Sequence, residues 1–223
     1  MNKNDLRIST LFNLEHTIAE RMLKMYTYPW EVLPNIGEFI KALGQVLPEK
    51  EYQRVGEKIW IHKSANLAPT ICMGGAAIIC ANAELRHCAF LRGNVIVGAG
   101  AVVGNSTELK NVILFDGVQV PHYNYVGDSI LGYKSHMGAG AITSNVRSDK
   151  QLVKVHAEDG DIETGLKKFG AILGDNVEVG CGSVLNPGTI IGSNTNIYPL
   201  SSVRGCVAPN SIYKKQGEVA EKY

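Results

Sequence analysis

The sequence predicts a mostly β protein: a left-handed parallel β-helix of hexapeptide repeats, preceded by a short N-terminal helical region. Three observations predict it. From Ile61, every sixth residue is aliphatic: Ile61, Leu67, Met73, Ile79, Leu85, Leu91, Val97, Val103 and Leu109. With those types at roughly 30% of a typical sequence, nine in a row arise by chance on the order of once in ten thousand or more rarely. The residue four positions after each is mostly small, as at Ala65, Ala77, Ala83, Ala89 and Ala101. Gly is abundant at 24 residues and aromatics make up only 7%, which suits many turns and an aliphatic interior.

Each hexad supplies a short strand and a tight turn. The aliphatic residue points into a prism and the small residue fits beside it. Gly, Asn and Asp take turn positions that need positive φ. Three hexads close one coil of about 18 residues, and successive coils stack roughly 4.8 Å apart. A solenoid of this repeat is left-handed, an exception to the right-handed crossover rule.

Residues 1–55 lie outside the repeat. Leu11, Leu14, Ile18 and Met22 recur at helical spacing through LFNLEHTIAERMLKMY, with Ser9 or Thr10 as cap and Pro29 as terminator. Asn35 precedes a second helix in IGEFIKALGQVL, closed by Pro48. This segment is expected to cap one end of the repeat domain, with Trp30 as a core anchor. The β-helix itself is expected over residues 56–213.

After Leu109 the inward positions become Leu114, Val120 and Val126, then Leu131, Met137 and Thr143. Two rungs therefore have five residues instead of six. Irregular backbone on a regular scaffold is where sites tend to lie. The repeat stops at about 146–170, read as a loop or hairpin arm projecting from the prism. It resumes through Leu173, Val179, Leu185, Ile191, Ile197 and Val203. Residues 214–223 read as a polar tail.

Bulk properties narrow the function. The net charge of +1 gives no reason to expect nucleic acid or an acidic membrane surface as a partner. Five Cys without a CxxC pair read as reduced thiols of a cytoplasmic protein. No signal pattern or 18-residue apolar run is present, so no membrane association is expected. A three-His zinc site on such a prism needs two His five residues apart, and none of the six is so spaced. No metal is expected.

Polar side chains gather at the short rungs. Arg92 and Lys110 are 18 apart and each follows an inward residue, so they are expected to project side by side and to favour an anion between them. A 17-residue coil stacks Glu108 under Tyr125. His122 lies on that same coil, and these five residues are expected to converge on one corner as an anion pocket with a general base. Cys181 is remote from His122 in the chain and is expected to line a site rather than act as a nucleophile.

PHYNYVGDSILG followed by GAGAITSN, with the upstream FLR and GNSTELK, resembles the acetyltransferase domain of the bifunctional glucosamine-1-phosphate acetyltransferase/N-acetylglucosamine-1-phosphate uridyltransferase family. The arm SNVRSDKQLVKV and the segment LKKFGAILGDNVEVGCGSVLNPGTIIG look closer to the archaeal sugar-1-phosphate nucleotidylyltransferases with an amino-sugar-1-phosphate acetyltransferase domain. The likeness covers about Arg92 to Arg204. It implies His122 as general base, Asn145 positioning amine and thioester, and Glu108 supporting electrostatically. Arg92, Lys110, Tyr125, His136 and Lys154 would contact the sugar phosphate. Ala139, Cys181 and Pro199 would lie along the pantetheine of acetyl-CoA, the co-substrate. A homotrimer and a separate nucleotidyltransferase partner are also implied, since the uridyltransferase half has no counterpart in these residues.

His136 replaces an Asn, Val146 replaces a Tyr, and Gln151 stands where the archaeal type has a Lys. The expected reaction is acetyl transfer from acetyl-CoA to glucosamine or galactosamine 1-phosphate. The alternatives are another sugar acceptor, or a non-catalytic β-helix subunit bound to a sugar nucleotidyltransferase.

Overall fold

A computed structural model describes residues 1–222. Its backbone winds into a parallel β-helix with three faces. The first face starts at Ile59–His62 and continues through Ala77–Ile79, Ala171–Leu173, Thr189–Ile191 and Cys206–Val207. The second begins at Asn66–Leu67 and ends at Ser211–Lys215. The third begins at Cys72–Met73 and ends at Ser202–Val203. Three long strands, Phe90–Val97, Glu108–Leu114 and Tyr125–Leu131, run from the third face into the first. All the aliphatic positions expected inside from Leu85 to Val203 are buried.

Three ladders of left-handed residues turn the corners. Asn82, Gly100, Gly117, Lys134, Asn176, Asn194 and Asn210 stack between the first and second faces. Cys88, Ser106, Tyr123, Gly140, Gly182 and Leu200 stack between the second and third. Asn94, Asn111 and Asp128, then Gly188 and Gly205, stack between the third and first. Both five-residue rungs cross that last corner, and so does the arm, between Thr143 and Leu173. One corner thus absorbs every change in coil length within these stacked coils.

The N-terminal segment lies along the first face rather than over an end. Its first expected helix is broken into α1 (Ile8–Leu11), a 3₁₀ turn at Leu14–His16 and α2 (Glu20–Leu23). The Asn13 side chain accepts from the Glu15 amide, which gives the chain a local alternative to a continuous helix. The second forms as α3 (Ile36–Gly44).

The reason for this placement is a row of outward side chains. Trp60, Ile78, Ile96, Ile113, Ile130, Ile172 and Ile190 stand opposite one another on successive coils. All are buried, the six isoleucines completely. Each is flanked by inward residues, so these strands are apolar on both sides. Burying each isoleucine contributes about 1.5–3 kcal/mol relative to exposure. α3 packs over the early coils, and Phe12 meets Phe115 with centroids 5.0 Å apart. Trp30, 2% exposed, stacks on Tyr28 and approaches Phe169 of the arm region.

The arm is a hairpin, Lys154–Ala157 with Gly160–Glu163. It folds back rather than projecting freely, because Val153 and Val155 are buried against the prism. The expected tail is also a hairpin: Glu218–Glu221 pairs antiparallel with Ser211–Lys215 and closes the edge of the second face.

Coils approach most closely on the second face at Gly104, where an added Cβ would overlap the Pro121 carbonyl backbone. Gly104→Ala is expected to cost about 3 kcal/mol. Thermal unfolding checks this as a fall in Tm on the order of 10 °C; a fall of under about 2 °C means that the rung yields.

Candidate active site

Apart from His136 and Lys154, the expected site residues border the third face, but at two corners instead of one. His122 ends its strand on the second face, just before the turn at Tyr123. Tyr125 and Glu108 stand opposite one another on the third face, as the 17-residue coil requires. Lys110, Asp128 and Asn145 lie where that face turns into the first.

Arg92 and Lys110 do not stack. Leu91 stands opposite Leu109, but Gly93 stands opposite Lys110, with a register shift between them. The cause is the five-residue rung: a coil with six residues at this corner meets a coil with five, and Arg92 is left over as a bulge. Its guanidinium donates to Glu108 Oε1 at 3.1 Å. Lys110 Nζ contacts both oxygens of Asp128, at 2.7 and 2.9 Å. Two bases face two acids, so the corner carries no formal excess of charge.

Asp128 is the centre of this group and is absent from the sequence-based candidates. It sits at φ 48° with a side chain only 5% exposed. It also accepts from Asn111 Nδ2 at 3.1 Å and Asn145 Nδ2 at 2.6 Å. The 17-residue spacing of Asn94, Asn111 and Asp128 is the signal that marks it as a corner residue. Because a carboxylate only accepts, the Asn145 amide nitrogen must face it, which turns the Asn145 oxygen outward. The same Nδ2 lies 3.3 Å from the Tyr125 hydroxyl. Burial first, then the charges of Asp128 and Glu108, raise the Tyr125 pKa and keep its proton in place.

The other corner is built by Asn124, also missed. Its buried amide donates to the Gly138 and Ala141 carbonyls at 2.8 and 2.9 Å, while its oxygen accepts from the His122 amide at 3.1 Å. This fixes the backbone of His122, whose side chain is exposed. Above it the corner repeats: Gly140 N–H bonds the His122 carbonyl, Gly182 N–H that of Ala139, and Leu200 N–H that of Cys181. His122, Ala139, Cys181 and Pro199 therefore form one straight column, about 14 Å long at three coil spacings. In the turn above His122 the Gly138 and Gly140 amides are committed to Val179 and His122. The Ala139 amide makes no such bond among the described residues.

Two expected residues lie elsewhere. His136 is at the far edge of the second face, 2.7 Å from Glu178. Lys154 is in the arm, paired with Glu163 at 2.6 Å. His62, His87 and His156 do have polar partners, in Ser64, Thr70 and Asp161. Among the described residues no cluster of His, Cys, Asp and Glu is placed to hold a metal, and no helix is long and apolar enough to cross a membrane.

Residues 73–195 match the family described as the GMPPB C-terminal domain. The bifunctional protein GlmU of Methanococcus maripaludis is 38% identical over 135 residues, covering 60% of this chain and 33% of that protein. This chain spans about a third of the length of such bifunctional relatives. The uncharacterized acetyltransferase YaiX of Escherichia coli is 33% identical over 187 residues, covering 75% of this chain and 77% of that one. Among solved structures, the acetyltransferase domain of PglB from Neisseria gonorrhoeae matches over 70% of this chain and 60% of its own, at 22% identity and a TM-score of 0.30.

Removing the Asp128 carboxylate leaves Lys110, Asn111 and Asn145 without their shared acceptor. Asp128→Ala is expected to destabilise the fold by about 2–4 kcal/mol. Urea unfolding measures it. A midpoint equal to that of the parent protein means that water replaces the carboxylate and that the corner does not depend on it.

Proposed function

The chain belongs to the family of the GMPPB C-terminal domain, within the hexapeptide-repeat acetyltransferases, and from that premise we propose that it transfers acetyl from acetyl-CoA to the amine of an amino-sugar 1-phosphate. The observation that carries this reading is the pair of corners: a straight column above His122 on one side of the third face, and the Lys110–Asp128–Asn145–Tyr125 group on the other.

The column suits an extended pantetheine arm. Ala139 and Cys181 present short side chains between glycines, and Pro199 continues the column between Tyr198 and Leu200, so backbone groups are within reach of a ligand. The acceptor amine lies between His122 and the outward oxygen of Asn145, which accepts a hydrogen bond from one of its N–H groups. The amine nitrogen adds to the thioester carbonyl carbon and His122 accepts the proton that nitrogen sheds. The C–S bond then breaks, and His122 returns that proton to the departing sulfur. The unpaired Ala139 N–H is the donor for the carbonyl oxygen as it gains charge. Because Asn145 Nδ2 is engaged by Asp128, that amide group does not serve there.

Arg92, Lys110 and Tyr125 receive the phosphate, with Glu108 holding Arg92 in place. Asp128 acts through Lys110 and Asn145 and is a positioning residue. The homotrimer and the nucleotidyltransferase partner belong to the same proposal, and so does the choice between glucosamine and galactosamine.

Thiol release from acetyl-CoA, measured with glucosamine 1-phosphate and galactosamine 1-phosphate, tests the reaction. His122→Ala is expected to lower kcat by about 10²–10⁴; an unchanged kcat rejects His122 as the base, and acetylation of neither sugar rejects the acceptor class.

Gly127→Ala probes the sugar side. Its Cβ would fall 2.5 Å from the Tyr125 hydroxyl and 3.0 Å from Asn145 Nδ2, both ends of side chains that can swing away. Turnover is expected to drop at least about tenfold while Tm changes by under about 2 °C. Unaltered kinetics would remove Tyr125 and Asn145 from the acceptor site.

A further inference from the structure

We propose that the exposed ring of Tyr123 is the platform on which the pyranose ring of the acceptor stacks. The identity of the acceptor as an amino sugar rests on the proposed acetyl transfer; the position of the platform rests on the fold.

Tyr123 stands where the repeat favours a quite different residue. Of the thirteen non-glycine residues at positive φ among the described residues, six are Asn and one, Tyr123 at φ 51°, is aromatic. A short polar side chain eases this conformation by bonding locally, and a bulky ring does not. The turn itself asks for less: the same ladder has Ser106 below and Gly140 above. Nor does the ring repay the strain by packing, since Tyr123 is 67% exposed.

The strained turn is nevertheless held firmly. Tyr123 N–H bonds the Asn105 carbonyl at 2.9 Å. On its other side, buried Asn124 accepts from the His122 amide and donates to the Gly138 and Ala141 carbonyls. Strain fixed from both sides in this way is characteristic of functional positions.

Position names the ligand. On one coil His122 ends the second face and Tyr125 stands on the third. One coil higher, Ala139 and Asn145 belong to those two faces and Gly140 is the corner between them. A ligand that reaches from His122 to Asn145 has to cross this corner. The crossing is open at Gly140, where an added Cβ would meet nothing within 4 Å. Gly140 N–H bonds the His122 carbonyl at 3.0 Å, so the corner residue directly beneath the crossing is Tyr123.

The proposed acceptor groups are otherwise polar. Tyr125 is half-buried and its hydroxyl meets Asn145 Nδ2 at 3.3 Å. They suit the hydroxyls at the rim of a pyranose but leave its C–H face without a partner. The Tyr123 ring is flat and rigid. Covering it with a sugar removes apolar area of both from water at little cost in side-chain freedom.

A ring kept for a ligand and a ring kept for the fold differ in what its loss costs. Tyr123→Gly separates them, because Gly adopts φ 51° freely. The experiment is calorimetric titration of the full chain with glucosamine 1-phosphate, together with the KM for the same compound in the thiol-release assay. Tyr123→Gly is expected to weaken binding and raise that KM about tenfold, with the KM for acetyl-CoA within about twofold of the parent's. Its Tm is expected to equal or exceed the parent's. Tyr123→Phe retains the flat face and is expected to bind within about twofold of the parent. Cys88→Gly, at φ 61° two coils lower on the same ladder, relieves strain without removing a ring and is expected to leave both constants unchanged.

Unchanged binding by Tyr123→Gly overturns the platform. So does a fall in its Tm of more than about 5 °C, which assigns the ring to packing. Equal loss in Tyr123→Phe assigns binding to the hydroxyl, and an altered mass of Tyr123→Gly in ultracentrifugation assigns the ring to a contact between copies; each of these overturns it too. A parent chain that binds the sugar phosphate through Tyr123 but acetylates nothing keeps the platform and loses the reaction. A parent that acetylates while Tyr123→Gly is unimpaired keeps the reaction and loses the platform. A parent that neither binds nor acetylates the compound loses both.

Discussion

Every coil must bond to the coil beneath it, and that is possible only if the corners coincide. The constraint is strict because the corner residues adopt left-handed conformations, which costs most side chains and favours Asn and Gly. A coil that gains or loses a residue cannot spread the change around its circumference. Here the changes collect at one corner. The bulge at Arg92, the short rungs from Leu109 to Leu114 and from Val126 to Leu131, and the arm after Asn145 all lie there. That corner is consequently the place where side chains escape the repeat and meet one another.

This explains what was legible in the sequence and what was not. Inward positions recur with period six, so the prism, the two slips and the arm could be read directly. The stacking of Glu108 and Tyr125 followed from counting 17. Counting failed at Arg92 because the coil below has one residue more, and the surplus can sit on either side of a turn. Asp128 and Asn124 escaped notice because the repeat asks only for a turn or a small buried polar residue at their positions. Their importance lies in partners on the neighbouring coils, 17 or 18 residues away for Asp128 and 14 and 17 for Asn124. The outward isoleucines were visible as AII, VIV, VIL and TII, but a six-residue reading looks only at the inward ones. Had the unbroken apolar triplets been read as strands buried on both sides, they would have placed the N-terminal segment along the first face.

The electrostatics divide the third face in the same way. At the rear corner, Asp128 and Glu108 cancel Lys110 and Arg92, so an anion there gains hydrogen bonds more than charge. His122 stands apart from it, at the opposite corner. It is anchored through Asn124 by its backbone, and its imidazole is left outside the ion pairs.

The location of the site also follows by exclusion from packing. The first face is apolar outward and is covered by the N-terminal segment through the isoleucine row. The second face brings coils close enough at Gly104 and Gly138 that side chains are excluded, and a terminal hairpin closes its edge. On the His122 coil the third face runs five residues from corner to corner, Tyr123 to Asp128, one fewer than the second face from Gly117 to Tyr123. A rung that short draws the two corners together. On a wider face, residues at His122 and at Asp128 would be too far apart to act on the same ligand. The narrowness of the third face, set by the spacing of Tyr123 and Asp128 in the chain, is therefore what turns two stacks of turn residues into a single candidate site.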